Sequence, residues 1–318
     1  MSPFAASSTF SSRWAIARIL RAGITSVGIA LGIFAAQPAS AADFRLSFEH
    51  AEKIRTATIY EPRRIKRVPR ATIIVLHGTE NGNRIRRRLG LDALAATAGY
   101  AVIYPDALNG HWNNGLESVP NAPDDVAFLH SLINRLAAAG ITDPRRVYMI
   151  GASEGGIMAL RYSCAAAGTL SGTISLLGGM PASEASCKLA KPLPFLAING
   201  TADELVPYTG GLTNLKNRKG SILSTEQTVG IFAAAANCTG TRSQTTFPDR
   251  DKEDKSTAIL ETYSACQVPV ELIRVEGGGH ALPGKRANAF GPSGAVGVTN
   301  RDIESNKIIW DFIRRLSH

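Results

Sequence analysis

The run Gly151-Ala152-Ser153-Glu154-Gly155-Gly156 carries a clear chemical signal. A serine with glycine two residues before and two after fits a sharp turn from strand to helix, where neighbouring side chains would collide. Residues 146–150 (RVYMI) read as a buried strand ahead of it, and 157–164 as a helix behind it. Such a turn pushes the hydroxyl out at the carboxyl edge of a sheet, beside helix N–H groups that favour developing negative charge. Serine is a weak nucleophile at neutral pH and needs a base, which in turn needs an orienting carboxylate. Of six histidines, only His280 and His318 follow Ser153. His318 is the last residue, whereas His280 ends Glu276-Gly277-Gly278-Gly279-His280, directly after an apolar run ending at Val275. On a turn of this kind the acid falls between serine and histidine in the chain. Asp203 does so, just past a strand at 193–199, and Glu204 is its neighbouring rival. Asp249, Asp251 and Asp254 sit in a polar, charge-rich insert and read as solvated.

An oxyanion would need backbone donors. One is expected at the N–H of Glu154, the residue after the nucleophile. The other is expected at Thr79, in the loop His77-Gly78-Thr79-Glu80-Asn81-Gly82 that follows the apolar run 71–76. His77 is expected to shape that loop rather than to act as the base.

These groups need a frame to hold them. Segments 44–49 and 55–60 alternate and read as an antiparallel pair with one exposed face. The runs 71–76 (ATIIVL), 100–104 (YAVIY) and 146–150 are continuous apolar strands of the kind covered on both faces. Strands are also read at 172–177, 193–199 and 268–275, the last in the chain. Helices are read at 91–98, 124–139 and 157–164. A further helix follows the capping box Ser224-x-x-Gln227 and runs through Asn237, and a closing helix covers 303–316. Strands alternating with helices imply an α/β domain whose mostly parallel sheet is covered by helices on both faces.

Residues 1–41 contain no acidic residue. Three arginines (Arg13, Arg18 and Arg21) precede an uncharged stretch from 22 to 36, followed by Ala39-Ser40-Ala41. Basic region, apolar region and small-residue site are the parts of a secretory signal peptide, with cleavage expected after Ala41. The apolar run falls short of the ~20 residues a spanning helix needs, so no stable membrane insertion is expected after cleavage. Secretion or a periplasmic location follows, with residues 42–318 as one catalytic domain. Removing the three arginines lowers the net charge from +9 to +6. The excess lies in two clusters, Arg63, Arg64, Lys66, Arg67 and Arg70, then Arg84, Arg86, Arg87 and Arg88. These read as a solvated surface around a buried strand, and no nucleic-acid motif accompanies them. In an oxidising compartment the four cysteines would pair, and the sequential pairing Cys164–Cys187 with Cys238–Cys266 closes two modest loops. Each bridge would contribute ~2–4 kcal/mol. No two cysteines are spaced for a metal site. A composition of 44% hydrophobic and 19% charged residues excludes a disordered tail protein.

Several segments together resemble the secreted α/β-hydrolase esterases that include polyhydroxybutyrate depolymerases and feruloyl and acetylxylan esterases, the carbohydrate-esterase-1-like group. They are Val75-Leu76-His77-Gly78, Tyr104-Pro105-Asp106 with Trp112-Asn113, Asp124-Asp125-Val126-Ala127-Phe128-Leu129, Asp143-Pro144-Arg145-Arg146-Val147-Tyr148, the serine motif, Asn199-Gly200-Thr201-Ala202-Asp203, Val206-Pro207-Tyr208 and Gly277 to Gly284. The resemblance implies an α/β-hydrolase fold and a triad of Ser153, Asp203 and His280, the residues chosen above. It implies a serine esterase without cofactor or metal, acting on 3-hydroxyalkanoate oligomers or polyester, or on plant cell-wall esters. It places Trp112 near the cleft, as a substrate contact or equally as a packing residue. The chain departs from the family at Glu154, usually small or neutral, at Glu80 in a usually Gly-rich loop, and at Leu282, usually Trp. An exported peptidase or acyltransferase on the same scaffold, or a binding protein that has kept the fold, is the other class of reading. The expected partner is a small or oligomeric ester, with the oligomeric state open.

Overall fold

The computed structural model describes residues 42–62, 69–79, 81–116, 122–216, 218–284 and 296–317. The proposed leader, Arg63 to Arg67, Glu80 and His318 lie outside these residues. β1 (Ala42–His50) and β2 (Lys53–Glu61) form an antiparallel hairpin. Its two turn residues, Ala51 and Glu52, both adopt positive φ (49° and 59°), as a two-residue turn matched to strand twist requires.

β3 (Arg70–Leu76) follows, then α1 (Gly82–Leu89), α2 (Leu91–Ala98) and β4 (Ala101–Pro105). Next come α3 (Asp125–Ala138), β5 (Thr142–Ala152), α4 (Glu154–Ala166), β6 (Gly172–Leu176) and β7 (Phe195–Gly200). A two-stranded ribbon of β8 (Gly211–Leu212) and β9 (Ser221–Ile222) precedes α5 (Thr225–Ala235). β10 (Arg242–Thr246), β11 (Thr257–Tyr263), β12 (Val270–Glu276) and α6 (Ser305–Arg315) complete the chain.

The ten-stranded sheet runs β1-β2-β4-β3-β5-β6-β7-β12-β11-β10. Its six central strands, β4 to β12, are parallel, with antiparallel pairs at both edges. All seven residues of β3 are buried because both faces are covered. Ile74 and Leu76 join the core with α3, α4 and α5, while Ile73 and Val75 join the one with α1, α2 and α6. Both expected disulfides are present. Cys164–Cys187 ties α4 to the loop before β7, and Cys238–Cys266 ties the end of α5 to the β11–β12 connection.

Three features differ from the sequence reading. The second arginine cluster lies in α1, capped by Asn81, whose Oδ1 accepts from the Arg84 N–H at 3.1 Å. Arg86 is not simply solvated, since it bridges Asp43 and Asp92. Arg70 is likewise buried and paired with Glu61 at 3.1 Å. The polar insert forms β10 and β11, an extension of the sheet ordered by polar pairs. The buried Glu261 accepts from Gln244 and Arg274 at 3.1 and 2.8 Å, and its other oxygen forms an ion pair with Arg242 at 2.9 Å. Asp251 and Asp254 are half-buried, holding Arg301 through its guanidinium and backbone N–H, each at 2.8 Å. In α6 the buried side includes Trp310, which meets Tyr100 edge-on, while Ile308 is only half-buried.

Among the described residues no helix is long and apolar enough to cross a membrane.

Candidate active site

Ser153 stands between β5 and α4 with φ 57° and ψ −121°, a strained conformation for a residue with a side chain. The flanking glycines make that turn possible. A Cβ on Gly151 would collide with the backbone of Gly155, and one on Gly155 with the carbonyls of Leu76 and His77. The G-x-S-x-G spacing therefore records how closely β5, the turn and the end of β3 approach one another. Gly78 completes the crowding, since a Cβ there would stand 3.1 Å from the Ser153 Cβ.

β3, β5, β7 and β12 are parallel and release their loops at one edge of the sheet. The loop after β12 carries His280 and the loop after β7 carries Asp203. The two loops are laced together. The Ala202 N–H donates to the Gly278 carbonyl at 2.9 Å, and the Gly277 N–H to Thr201 Oγ1 at 2.9 Å. The result brings three residues 50 and 77 positions apart into one chain of hydrogen bonds. His280 Nε2 lies 2.7 Å from Ser153 Oγ, and His280 Nδ1 lies 2.7 Å from Asp203 Oδ2. Asp203 Oδ1 accepts the N–H groups of Leu205 and Val206 at 2.9 and 2.8 Å, which fixes the carboxylate plane. Ser153, Asp203 and His280 are all buried, whereas Glu204 is exposed and has no part in these two hydrogen bonds.

His77 clips the neighbouring loop. Its Nε2 accepts the Ala107 N–H at 3.0 Å, so the ring proton sits on Nδ1 and is donated to the Gly78 carbonyl at 2.8 Å. Burial lowers its pKa, in keeping with a neutral ring.

Of the two roles expected for Trp112, substrate contact and packing, its surroundings are those of packing. Its side chain is fully buried, its ring packs 5.1 Å from that of His77, and its Nε1–H donates to the His77 carbonyl at 2.9 Å. It is a strut behind the loop. Leu282 is also buried, in the core beside β12, and puts no surface on the cleft.

Glu154 is fully buried, yet its carboxylate turns from the serine toward the 111–112 segment. It accepts the Trp112 N–H at 3.2 Å, meets His111 Nδ1 at 3.1 Å and lies 3.6 Å from Arg218 Nε. Burial raises its pKa, partly offset by His111 and Arg218. Its backbone N–H opens α4, where no carbonyl of the preceding turn is available to it. Thr79, exposed, directly follows Gly78. Sequence reasoning missed Asp125. This buried carboxylate pairs with the buried Arg55 at 2.6 Å and accepts the Asn113 N–H at 2.7 Å, anchoring the segment that carries His111 and Trp112. The only signal was an acidic pair at the start of α3, one of which was needed as its cap. Among the described residues no cluster could hold a metal.

A strained serine at a strand–helix turn, backed by histidine and aspartate on parallel-strand loops, defines the serine α/β-hydrolase class. The phospholipase/carboxylesterase family model matches residues 113–228. "Putative esterase NocK" of Nocardia uniformis subsp. tsuyamanensis is 32% identical over 77% of this chain and 74% of its own length. Feruloyl esterase B of Piromyces equi is 30% identical over half of this chain, which spans 29% of that protein. An acetyl xylan esterase from Aspergillus awamori shares the fold, with a TM-score of 0.52 at 11% identity over 71% of this chain and 89% of its own. The chain belongs to the α/β-hydrolase esterase family and is a carboxylic ester hydrolase of the serine type.

Proposed function

We propose that Ser153, His280 and Asp203 are the catalytic triad of an exported esterase acting on aliphatic esters, foremost 3-hydroxyalkanoate oligomers. The observation that carries the triad is the pair of 2.7 Å hydrogen bonds running from Ser153 through His280 to Asp203. Ser153 Oγ attacks the ester carbonyl as His280 Nε2 takes its proton. Asp203 holds the Nδ1 proton and stabilises the imidazolium. The N–H groups of Glu154 and Thr79 receive the oxyanion, each contributing ~3–4 kcal/mol to the transition state. His280 then protonates the leaving alcohol, and a water activated by the same ring hydrolyses the acyl-enzyme.

The burial of Trp112 and of Leu282 supports an aliphatic acyl group, because neither position offers a ring for an aromatic acid to stack on. The names of the relatives favour a second reading, a feruloyl- or acetylxylan-type esterase on plant cell-wall esters. The two disulfides and the leader pattern of residues 1–41 support export and a catalytic domain over 42–318. The test is a panel of p-nitrophenyl acetate and butyrate, methyl ferulate and 3-hydroxybutyrate oligomers, with Ser153→Ala alongside. Loss of the nucleophile lowers turnover ~10⁴–10⁶-fold. Equal rates for wild type and variant would overturn the assignment, and the preferred ester would choose between the two substrate classes.

A further inference from the structure

On the side of Glu154 that meets His111 and Arg218 lies a cavity of about 500 Å³ that none of the triad residues lines. Among the described residues its walls carry His50, Lys53, Arg55, His111 and Arg218, against one acidic side chain, Asp124. That carboxylate is committed to capping α3, accepting the Ala127 N–H at 2.9 Å. Arg55 is likewise answered by Asp125. Lys53 is exposed and has no acidic partner among the described residues. Arg218 is the telling group. Its side chain is only 12% exposed, its Nε leans on Glu154, and its Nη1 is buried without a hydrogen-bond partner. A guanidinium with an N–H lacking an acceptor is short of counter-charge, and burial raises the Glu154 pKa, which weakens the one anion beside it among the described residues. Two of the cavity's groups, His111 and Arg218, touch the side chain of the residue that follows Ser153. One peptide step and one glutamate side chain separate them from the nucleophile, roughly 10 Å.

We propose that this cavity is a carboxylate-binding subsite, in which Arg218, assisted by Lys53 and His111, holds an acidic group of the substrate a fixed distance from the scissile ester. The inference rests on the esterase reading and names the substrate class within it. The carboxylate can come from the free acid end of a hydroxyalkanoate oligomer or from a uronate beside an esterified sugar. Both present two oxygens to a planar guanidinium, which a neutral amide or hydroxymethyl group cannot match.

The experiment measures kcat and KM for two matched pairs. One is the 3-hydroxybutyrate dimer as free acid and as carboxamide, and the other is an acetylated methyl glucuronoside and the matching glucoside. Each is run with wild type, Arg218→Gln and Lys53→Gln, with p-nitrophenyl acetate measured separately. Wild type should prefer the acid member of at least one pair by about 10- to 100-fold in kcat/KM, chiefly through KM. The pair that shows it identifies the source of the carboxylate. The preference should collapse in Arg218→Gln, fall partly in Lys53→Gln, and weaken as salt rises from about 0.05 to 0.5 M. Equal kcat/KM for acid and neutral members in wild type would overturn the subsite while p-nitrophenyl acetate hydrolysis left the esterase reading standing. An acid preference that survives Arg218→Gln would overturn it too. Inactivity of wild type on every ester, p-nitrophenyl acetate included, would overturn both.

Discussion

Asp203→Asn is the sharpest perturbation of the proposed triad because the surrounding backbone dictates how the new side chain must sit. Oδ1 of Asp203 accepts two backbone N–H groups, from Leu205 and Val206. An amide nitrogen there would face two donors, so the asparagine oxygen takes that position and its NH₂ takes the place of Oδ2. Oδ2 now lies 2.7 Å from His280 Nδ1. An NH₂ donating at that distance requires a bare Nδ1, which moves the ring proton to Nε2. Nε2 then donates to Ser153 Oγ and has no lone pair with which to accept its proton. Shape, volume and burial are nearly unchanged, so the fold should keep its melting temperature. The expected loss in kcat is about 10⁴-fold, equivalent to about 5.5 kcal/mol at the transition state. The assay is p-nitrophenyl acetate turnover beside a thermal melt, with the exposed Glu204→Gln as the companion variant, expected to change kcat by less than about twofold. An Asp203→Asn enzyme within about tenfold of wild type would refute the reasoning.

Other predictions follow from the same geometry. Trp112→Phe removes the buried donor to the His77 carbonyl and should destabilise the protein by about 1–3 kcal/mol. It should leave KM for short esters near the wild-type value, and a KM raised without loss of stability would restore Trp112 as a substrate contact. Arg55→Met strands the buried Asp125 carboxylate and should cost about 3–5 kcal/mol in urea unfolding. The double variant Arg55→Met/Asp125→Leu should recover much of that loss, since it removes both buried charges, less the hydrogen bond to Asn113. Glu154 has a folded-state pKa raised above its ordinary 4.5, so its favourable contribution is complete below that value and is lost as pH rises through the raised one. Glu154→Gln mimics the neutral form at every pH. Its stability relative to wild type, measured by melts across pH 4 to 8, should therefore rise with pH, and a falling difference would contradict the assignment.

Much of the frame was legible in local pattern. The continuous apolar runs of β3, β4 and β5 were recognisable because strands covered on both faces have no polar side to show. Ser153 was legible for a related reason, because only glycine fits where the backbone of Gly155 meets that of β3. Asp203 and His280 could be ranked because each follows a strand that had to end at the same sheet edge. The edge strands β10 and β11 escaped notice since β10 is wholly exposed and its residues are those of a solvated loop. The helix α1 escaped because four arginines among eight residues hide the two apolar side chains, Ile85 and Leu89, that seat it.

Residue types and spacing by themselves therefore determined the kind of chemistry and the parallel α/β frame, while of the three pairings open to four cysteines the structure selected the sequential one. The chemistry and the frame follow from what neighbouring residues permit along the chain. Where a side chain points depends on groups distant in sequence, and only the tertiary structure could decide it. Trp112 faces His77 rather than the cleft, and Glu154 turns to His111 and Arg218 rather than to the serine. The cationic cavity exists because the β1–β2 turn, the 108–113 segment and Arg218 meet in space, and no local pattern encodes that meeting.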